Sequence, residues 1–193
     1  MFEELKLIEE KCKNCSKCSL CKTKTNIVFS DGTPNNKIML IGEAPGANED
    51  MQGKPFVGRS GQLLDKILNC VGFSRDKNIY ICNTIKCRPP NNRNPLPEEK
   101  NACREYLDMQ INILKPKIIL LCGAVAMESM LNKKLAITKV HGQWFDGINN
   151  SKMMPIFHPA YLLRNPSKEE GSPKWLMYQD IKKVKEEYDK LDM

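Results

Sequence analysis

Two short segments of the chain carry residue types suited to hydrogen-bonding and acid–base chemistry. Residues 42–46 (GEAPG) and 157–161 (FHPAY) each follow or end an apolar run that is typical of a buried strand. In open α/β sheets the ligand site lies in the crevice beyond the carboxyl ends of the strands. We therefore expect the two segments to meet at one pocket, with Glu43 and His158 as its polar groups. The other histidine, His141, is predicted to be structural.

The cysteines form a second group with chemical potential. Four of them follow one another at C-x2-C-x2-C-x2-C spacing near the N-terminus, which suits an iron–sulfur cluster or zinc. Two ligand sets remain open, namely this run alone, or two of its members together with Cys87 and Cys103. The second set would fix the loop 83–97 beside the pocket. The run comprises Cys12, Cys15, Cys18 and Cys21, whereas Cys70, Cys82 and Cys122 lie in apolar runs and are predicted to be buried.

The bulk composition favours one intracellular domain. With 193 residues and 41% hydrophobic residues, the chain predicts a single domain over 1–193 with a cysteine-rich extension over 1–26. An iron–sulfur cluster held by the bridging ligand set would pack this extension on the domain. There is no long apolar run, and the N-terminus is acidic and amphipathic, so neither a membrane span nor a signal peptide is expected. A cytoplasmic location follows, where disulfides are disfavoured. The net charge of +7 fits an anionic partner such as nucleic acid.

Strand and helix patterns alternate along the chain. Apolar runs predict strands over 37–41, 78–82, 117–122 and 153–157, whereas 42–58 and 83–97 are expected to be loops. Helical spacing of apolar residues predicts helices over 2–11, 60–72, 97–114 and 123–131, and a last helix through 177–191. This alternation predicts an α/β fold in which helices cover both faces of a parallel sheet.

Taken together, these motifs resemble the family 4 uracil-DNA glycosylases, the iron–sulfur branch of the uracil-DNA glycosylase superfamily. The resemblance covers nearly the whole chain. It implies a three-layer α/β/α sandwich around a four-stranded parallel sheet. It also implies a 4Fe–4S cluster held by Cys15, Cys18, Cys87 and Cys103, which leaves Cys12 and Cys21 without a family counterpart. The matching segments are the cysteine pair ahead of 27–29, GEAPG at 42–46 with Glu49-Asp50, GKPFVG at 53–58, NTIKCRPP at 83–90, PLP at 95–97 and FHPAYLLRNP at 157–166.

The function that the resemblance implies is DNA repair. The enzyme would flip uracil out of DNA and hydrolyse its N-glycosidic bond, leaving an abasic site and free uracil as the first step of base excision repair. It would act as a monomer on uracil-containing DNA. Because the departing base gains negative charge and the sugar gains positive charge, the site needs donors at the base and an acidic group near the sugar.

The resemblance assigns roles to the residues around the base. His158 would donate to uracil O2, and the Asn83 amide would accept from N3–H and donate to O4, which rejects cytosine. Phe56 would stack on the uracil ring. Gly42 and Gly46 would let the backbone approach the substrate closely.

A second set of residues would handle the water and the DNA. Ala44 falls where other branches carry a water-orienting Asp, so Glu43 is the preferred polar partner, Glu49 a weaker candidate, and Asn92 an assistant. The segment 162–164 predicts a wedge, in which Leu162 and Leu163 fill the hole left by the flipped nucleotide and Arg164 holds a phosphate. Helix packing is the alternative for both leucines. The further phosphate contacts expected in the loop 83–97 are Lys86, Arg88 and Arg93.

Three other functions fit part of the sequence. An electron-transfer module would explain the cysteines but not Glu43, Asn83 and His158. A zinc-stabilised nucleic-acid binder without activity would also use clustered thiolates. A covalent uracil-capturing relative would need a longer loop than 89–97 and a histidine within it.

Overall fold

A twisted sheet of mixed strands forms the centre of the protein. The computed structural model describes residues 1–34 and 37–192, and in this part of the chain the strand order is β1-β3-β2-β4-β6-β5. The inner four strands β3, β2, β4 and β6 are parallel, whereas β1 and β5 pair antiparallel at the two edges. The strands are β1 Asp31–Gly32, β2 Ile38–Gly42, β3 Tyr80–Asn83, β4 Ile118–Cys122, β5 Phe145–Asp146 and β6 Lys152–Ile156.

Helices connect the strands and cover the sheet. Short 3-10 turns lie at Ser19–Lys22, Pro90–Asn92, Ile148–Asn150 and Lys190–Asp192. The helices are α1 Phe2–Lys13, α2 Ala47–Gln52, α3 Arg59–Asn69, α4 Pro97–Leu114, α5 Ala124–Leu131, α6 Ile137–Val140, α7 Pro159–Arg164 and α8 Pro173–Asp189.

Side chains alternate between the two faces of the sheet and build one core on each. Ile38 and Leu40 of β2 pack with residues of α3, α7 and α8, whereas Met39 and Ile41 pack with residues of α1, α4 and α5. This is the period of two expected for a strand that is covered on both faces. The three-layer α/β/α architecture with four parallel central strands is therefore confirmed.

The structure departs from the sequence predictions in several local details. The predicted loop 42–58 contains α2, and the two edge strands together with α6 and α7 were not predicted. Cys82 and Cys122 are buried as predicted. The prediction for Cys70 is wrong, because this residue ends α3 on the surface and its thiol donates to the Lys66 carbonyl oxygen at 3.2 Å.

The parallel strands deliver their C-terminal loops to one edge of the sheet. Gly42 and Asn83, the last residues of β2 and β3, stand opposite each other in the register. The two chains stay together beyond the sheet, since the Thr84 N–H donates to the Gly42 carbonyl oxygen at 2.9 Å. No helix in the described residues is long and apolar enough to cross a membrane.

Candidate active site

A cleft of about 620 Å³ opens at the C-terminal edge of the parallel strands. The loops after β2, β3 and β6 and the start of α3 form its walls. Glu43, Asn83 and His158 all face this cleft, so the two sequence segments meet as expected. The other predicted residues that line the cleft are Ala44, Gly46, Glu49, Phe56, Asn92, Arg93 and Arg164.

Asn83 presents an unused hydrogen-bond acceptor to the cleft. Its side chain is only 2% exposed, and Oδ1 finds no donor among the described residues. Its backbone carbonyl oxygen accepts from Lys86 Nζ at 2.8 Å, which fixes the residue at the end of β3. A buried acceptor without a partner is destabilising by itself, and it is satisfied if a ligand brings a donor.

Phe56 forms one wall of the same space. The centroid of its ring lies 5.9 Å from that of the His158 ring, at an interplanar angle of 33°. The ring packs on Gly42, where an added Cβ would lie 2.6 Å from Phe56 Cε2 and closer still to Cζ and to Asn83 Oδ1. Gly42 makes room for these two side chains, and its predicted close approach to the substrate stays a prediction.

His158 is held as a neutral hydrogen-bond donor. It is the N-cap of α7, and the Ala160 backbone N–H donates to its Nδ1 at 3.1 Å. The neutral ring therefore carries its proton on Nε2. Burial, followed by the nearby charge of Arg164, lowers the pKa of His158 to about 4. The imidazole is uncharged near neutral pH and has one N–H available for a ligand.

Two carboxylates line the cleft, and their surroundings differ. Burial raises the pKa of Glu43 above its ordinary value, with Lys100 acting in the opposite direction. Glu49 instead accepts backbone N–H groups, from Val57 and Gly58 at 2.9 Å each and from Gly46 at 3.2 Å. Glu49 braces the two loops around α2, which leaves Glu43 as the carboxylate better placed to act on a substrate.

The loop after β3 holds its polar side chains through internal contacts. Arg88 Nε donates to Asn92 Oδ1 at 2.7 Å, and Asn92 adopts a left-handed backbone with φ of 54°. Arg93 lines the cleft, but both of its terminal nitrogens bind the buried carboxylate of Glu99, at 2.6 and 2.8 Å. This ion pair anchors the loop to the start of α4.

Two of the side chains that the sequence predicted to contact DNA are buried in the structure. Lys86 is fully buried, and its ammonium group donates to the Asn83 carbonyl oxygen and to Gln110 Oε1. Leu162 is also fully buried, in the core that α7 shares with α3. Leu163 is 37% exposed, and the exposed Arg164 lines the cleft, so these two side chains are the accessible part of the predicted wedge.

The cysteines of the N-terminal extension pack against those of the domain. Cys12 and Cys15 lie with Cys103 around Phe29 and Tyr106, and Cys18 and Cys87 lie with Cys103 around Leu20 and Ile85. Burial raises the pKa of Cys12 to about 12 and also raises the pKa values of Cys18, Cys87 and Cys103. Thiols in such surroundings stay protonated unless a positive centre stabilises the thiolates.

The donor set has the chemistry of iron–sulfur ligands, because the side chains packed together here are thiols from two segments of the chain. In the described part of the chain, no group of three or more His, Cys, Asp or Glu side chains is arranged to hold one metal ion.

Lys86 supplies a signal that sequence reasoning missed. Its buried ammonium group donates to two neutral oxygens, on Asn83 and Gln110, and lies 5.7 Å from the centroid of the Phe29 ring. Its charge acts on the thiols of Cys12, Cys82 and Cys103, and its backbone N–H donates to Cys103 Sγ at 3.3 Å. A buried cation is costly to the fold unless it has a negative neighbour.

His141 lies outside the cleft, and the structure gives it a packing role. Its Nδ1 is 2.6 Å from Asp180 Oδ2, and its ring centroid is 4.3 Å from that of Phe157. This partly buried pair ties the segment before β5 to α8, in agreement with the structural role predicted for His141.

Comparison with known proteins gives a consistent result. The model of the Uracil DNA glycosylase superfamily matches residues 29–182. The Type-4 uracil-DNA glycosylase of Thermotoga maritima is 44% identical over 184 residues, which cover 95% of this chain and 94% of the relative. The proteins of the same name from Sulfurisphaera tokodaii and Saccharolobus solfataricus are each 40% identical over 96% of this chain, and cover 85% and 87% of those relatives.

Proposed function

This chain belongs to the type-4 uracil-DNA glycosylases of the uracil DNA glycosylase superfamily, and we propose that its cleft removes uracil from DNA. The enzyme is a hydrolase that cleaves the N-glycosidic bond, leaves an abasic site and releases free uracil. Excision of the base is the first step of base excision repair. The duplex must release the nucleotide into the cleft, because the bond is out of reach inside the base stack.

Recognition of the base rests on three side chains. The observation that carries the proposal is the unsatisfied Asn83 Oδ1 in the cleft that also holds the neutral His158 ring and the Phe56 ring. Asn83 accepts from uracil N3–H and donates to O4, whereas cytosine presents the reverse pattern on this edge and is rejected. Phe56 stacks on the base, and Gly46 and the neighbouring backbone border it.

His158 stabilises the leaving group. Negative charge develops on uracil as the bond breaks, and the Nε2–H of His158 donates to O2. Because the ring is already neutral and fixed by its N-cap bond, it needs no rearrangement when charge develops. A donor of this kind contributes roughly 10²–10³ in rate.

Glu43 acts on the sugar side. Its carboxylate stabilises the positive charge that develops on deoxyribose and orients the attacking water. Ala44 has no polar group for this task, and the oxygens of Glu49 already accept three backbone N–H groups. Asn92 assists from the opposite loop of the cleft.

DNA is held at the rim of the cleft. Leu163 fills the space vacated by the nucleotide, and Arg164 and Arg88 contact phosphates. The net charge of +7 favours binding to the phosphate backbone. The protein acts as a monomer inside the cell, where its DNA substrate is found.

Cys15, Cys18, Cys87 and Cys103 hold a 4Fe–4S cluster in this proposal. The facing thiols and the buried charge of Lys86 support it. When bound, the cluster supplies a rigid covalent link between the extension 1–26 and the loop after β3. Cys87 follows Asn83 by four residues, so this link limits the movement of the base-reading amide. Residues 1–193 then form one domain.

A cleavage assay tests the function. Iron-loaded protein is incubated with an oligonucleotide that contains one uracil, and the abasic sites are then cleaved by heat and alkali. Scission at the uracil alone is the expected result, and an intact strand would overturn the proposal. His158→Ala and Asn83→Ala should lose turnover but keep the fold, and His141→Ala is the matched control that should keep turnover. Iron and sulfide assays separate the cluster from zinc.

A further inference from the structure

Arg75 lies behind the cleft and makes an unusual number of contacts for one side chain. It follows α3 in the loop that leads to β3, and it is 14% exposed. Its guanidinium group donates to two carboxylates, at 3.0 Å to Asp31 Oδ2 and 2.9 Å to Asp65 Oδ1. The two terminal nitrogens also donate to consecutive backbone carbonyl oxygens, those of Pro55 and Phe56, at 2.6 Å each.

The backbone at Phe56, whose carbonyl oxygen accepts from Arg75, is strained. Phe56 has a φ of 54°, in the left-handed region that bulky side chains rarely occupy. Such a conformation persists only when its surroundings enforce it, and strained residues of this kind cluster at functional sites. The strain therefore has to be held by specific contacts.

Gly61 holds the other side of the same peptide. A Cβ at this position would lie 2.7 Å from Phe56 Cα and closer still to its carbonyl carbon and oxygen. Only glycine allows α3 to approach Phe56 so closely. The Phe56 carbonyl group is thus enclosed between Gly61 and the guanidinium group of Arg75.

We propose that Arg75 is the positioning residue that holds Phe56 in its left-handed conformation, and so sets the wall on which uracil stacks. This inference rests on the proposed function. Arg75 touches neither the substrate nor the reacting atoms, and it acts through the Pro55–Phe56 carbonyl pair.

The chemistry of this contact requires arginine. A guanidinium group is a flat, rigid fork with five N–H donors, and it can bind two carboxylates and two carbonyl oxygens at once. A lysine ammonium has three donors at one point and cannot span both carbonyl groups together with Asp31 and Asp65. The two aspartates neutralise the partly buried charge of Arg75 and orient its guanidinium group toward the Pro55 and Phe56 carbonyl oxygens.

Without the guanidinium group of Arg75, Phe56 is expected to relax to a negative φ. Its ring now packs on Gly42 and faces His158, so relaxation would move the ring out of the cleft wall. The base would then lose its stacking partner. Free uracil, which has no phosphate or sugar to bind elsewhere, should report this loss most directly.

The test compares Arg75→Met and Arg75→Lys with Arg104→Met. Arg104 is a matched control on α4, because it also joins a carboxylate, Asp108, to a backbone carbonyl oxygen, that of Ser129. Both Arg75 variants should weaken inhibition by free uracil by about tenfold or more, the effect expected when one base–aromatic stack is lost. Arg104→Met should lower the melting temperature and leave inhibition unchanged.

The outcomes separate this inference from the proposed function. Unchanged inhibition in Arg75→Met, or an equal loss in Arg104→Met, would overturn the positioning role. A crystal structure of Arg75→Met gives a readout that needs no substrate, since Phe56 should leave the left-handed region, and a retained positive φ would also overturn the role. A wild-type enzyme that released no uracil would instead refute the proposed function.

Discussion

Replacing Gly42 by alanine should disable the cleft while keeping the fold. The added methyl group would lie 2.6 Å from Phe56 Cε2, and nearer still to Phe56 Cζ and Asn83 Oδ1, whereas real Cβ atoms essentially never approach other atoms within 3.0 Å. Both neighbours are buried and line the cleft, so each must move against its packing or into the cleft. The methyl group therefore pushes apart the ring and the amide to which we assign contact with the base.

The size of the effect follows from these distances. Each group must retreat by several tenths of an ångström, and a displacement approaching 1 Å in a catalytic site costs on the order of 10²-fold in rate. We expect a loss of about 10²-fold in kcat/KM, which corresponds to about 2.7 kcal/mol of transition-state stabilisation. Overpacking of a core costs about 1–3 kcal/mol of stability, so the variant should still fold.

The assay is single-turnover excision of uracil from an oligonucleotide, with thermal melting measured in parallel. Gly72→Ala is the matched control, because its φ of 84° strains an alanine while nothing lies within 4 Å of the added methyl group. It should lose about 1–2 kcal/mol of stability and keep its rate. A Gly42→Ala enzyme with wild-type kcat/KM would refute the packing argument.

The other predictions concern the Glu43 carboxylate, the cysteine ligands of the proposed cluster and the two leucines of α7. Burial raises the pKa of Glu43 above its ordinary value, so wild-type activity should fall as the pH drops through the raised pKa. Glu43→Gln should lose about 10²-fold or more in kcat, and its activity should no longer fall at low pH. If the fall at low pH persisted in this variant, a group other than Glu43 would be its cause. Cys87→Ser should lose iron and sulfide on assay whereas Cys12→Ser should keep them, and the reverse pattern would place the ligands in the N-terminal run. Leu163→Ala should slow excision from duplex DNA without a change in melting temperature, whereas Leu162→Ala should lose about 2–5 kcal/mol of stability in denaturant titration. Equal melting temperatures for the two leucine variants would contradict their assigned environments.

The central strands were predictable from the sequence because burial on both faces leaves a continuous apolar run. The prediction of 117–122 differs from β4, Ile118–Cys122, by one residue. The edge strands β1 and β5 have two residues each and depend on their neighbours for pairing, so they leave no periodic pattern. The six-residue α2 is likewise too short for helical spacing to become visible.

The sequence predicted which residues meet at the cleft, but it did not predict which of the neighbouring side chains are buried and which are exposed. His158 and Asn83 follow or end strands, and the topology of a parallel sheet brings such residues together. Neighbouring residues on a helix point about 100° apart, so Leu162 and Leu163 cannot share one environment, and their sequence does not say which faces the core. A lysine is ordinarily expected in solvent, and the sequence does not show that Asn83 and Gln110 supply acceptors for a buried Lys86.

The two-residue edge strands also bear on intermolecular strand pairing. An unpaired strand edge is a template for intermolecular pairing, which leads to aggregation. Here β1 and β5 run against the direction of the inner strands and are too short to offer more than a few backbone groups to another chain. Both borders of the four apolar central strands are thereby covered, which leaves few backbone groups for pairing with a second molecule.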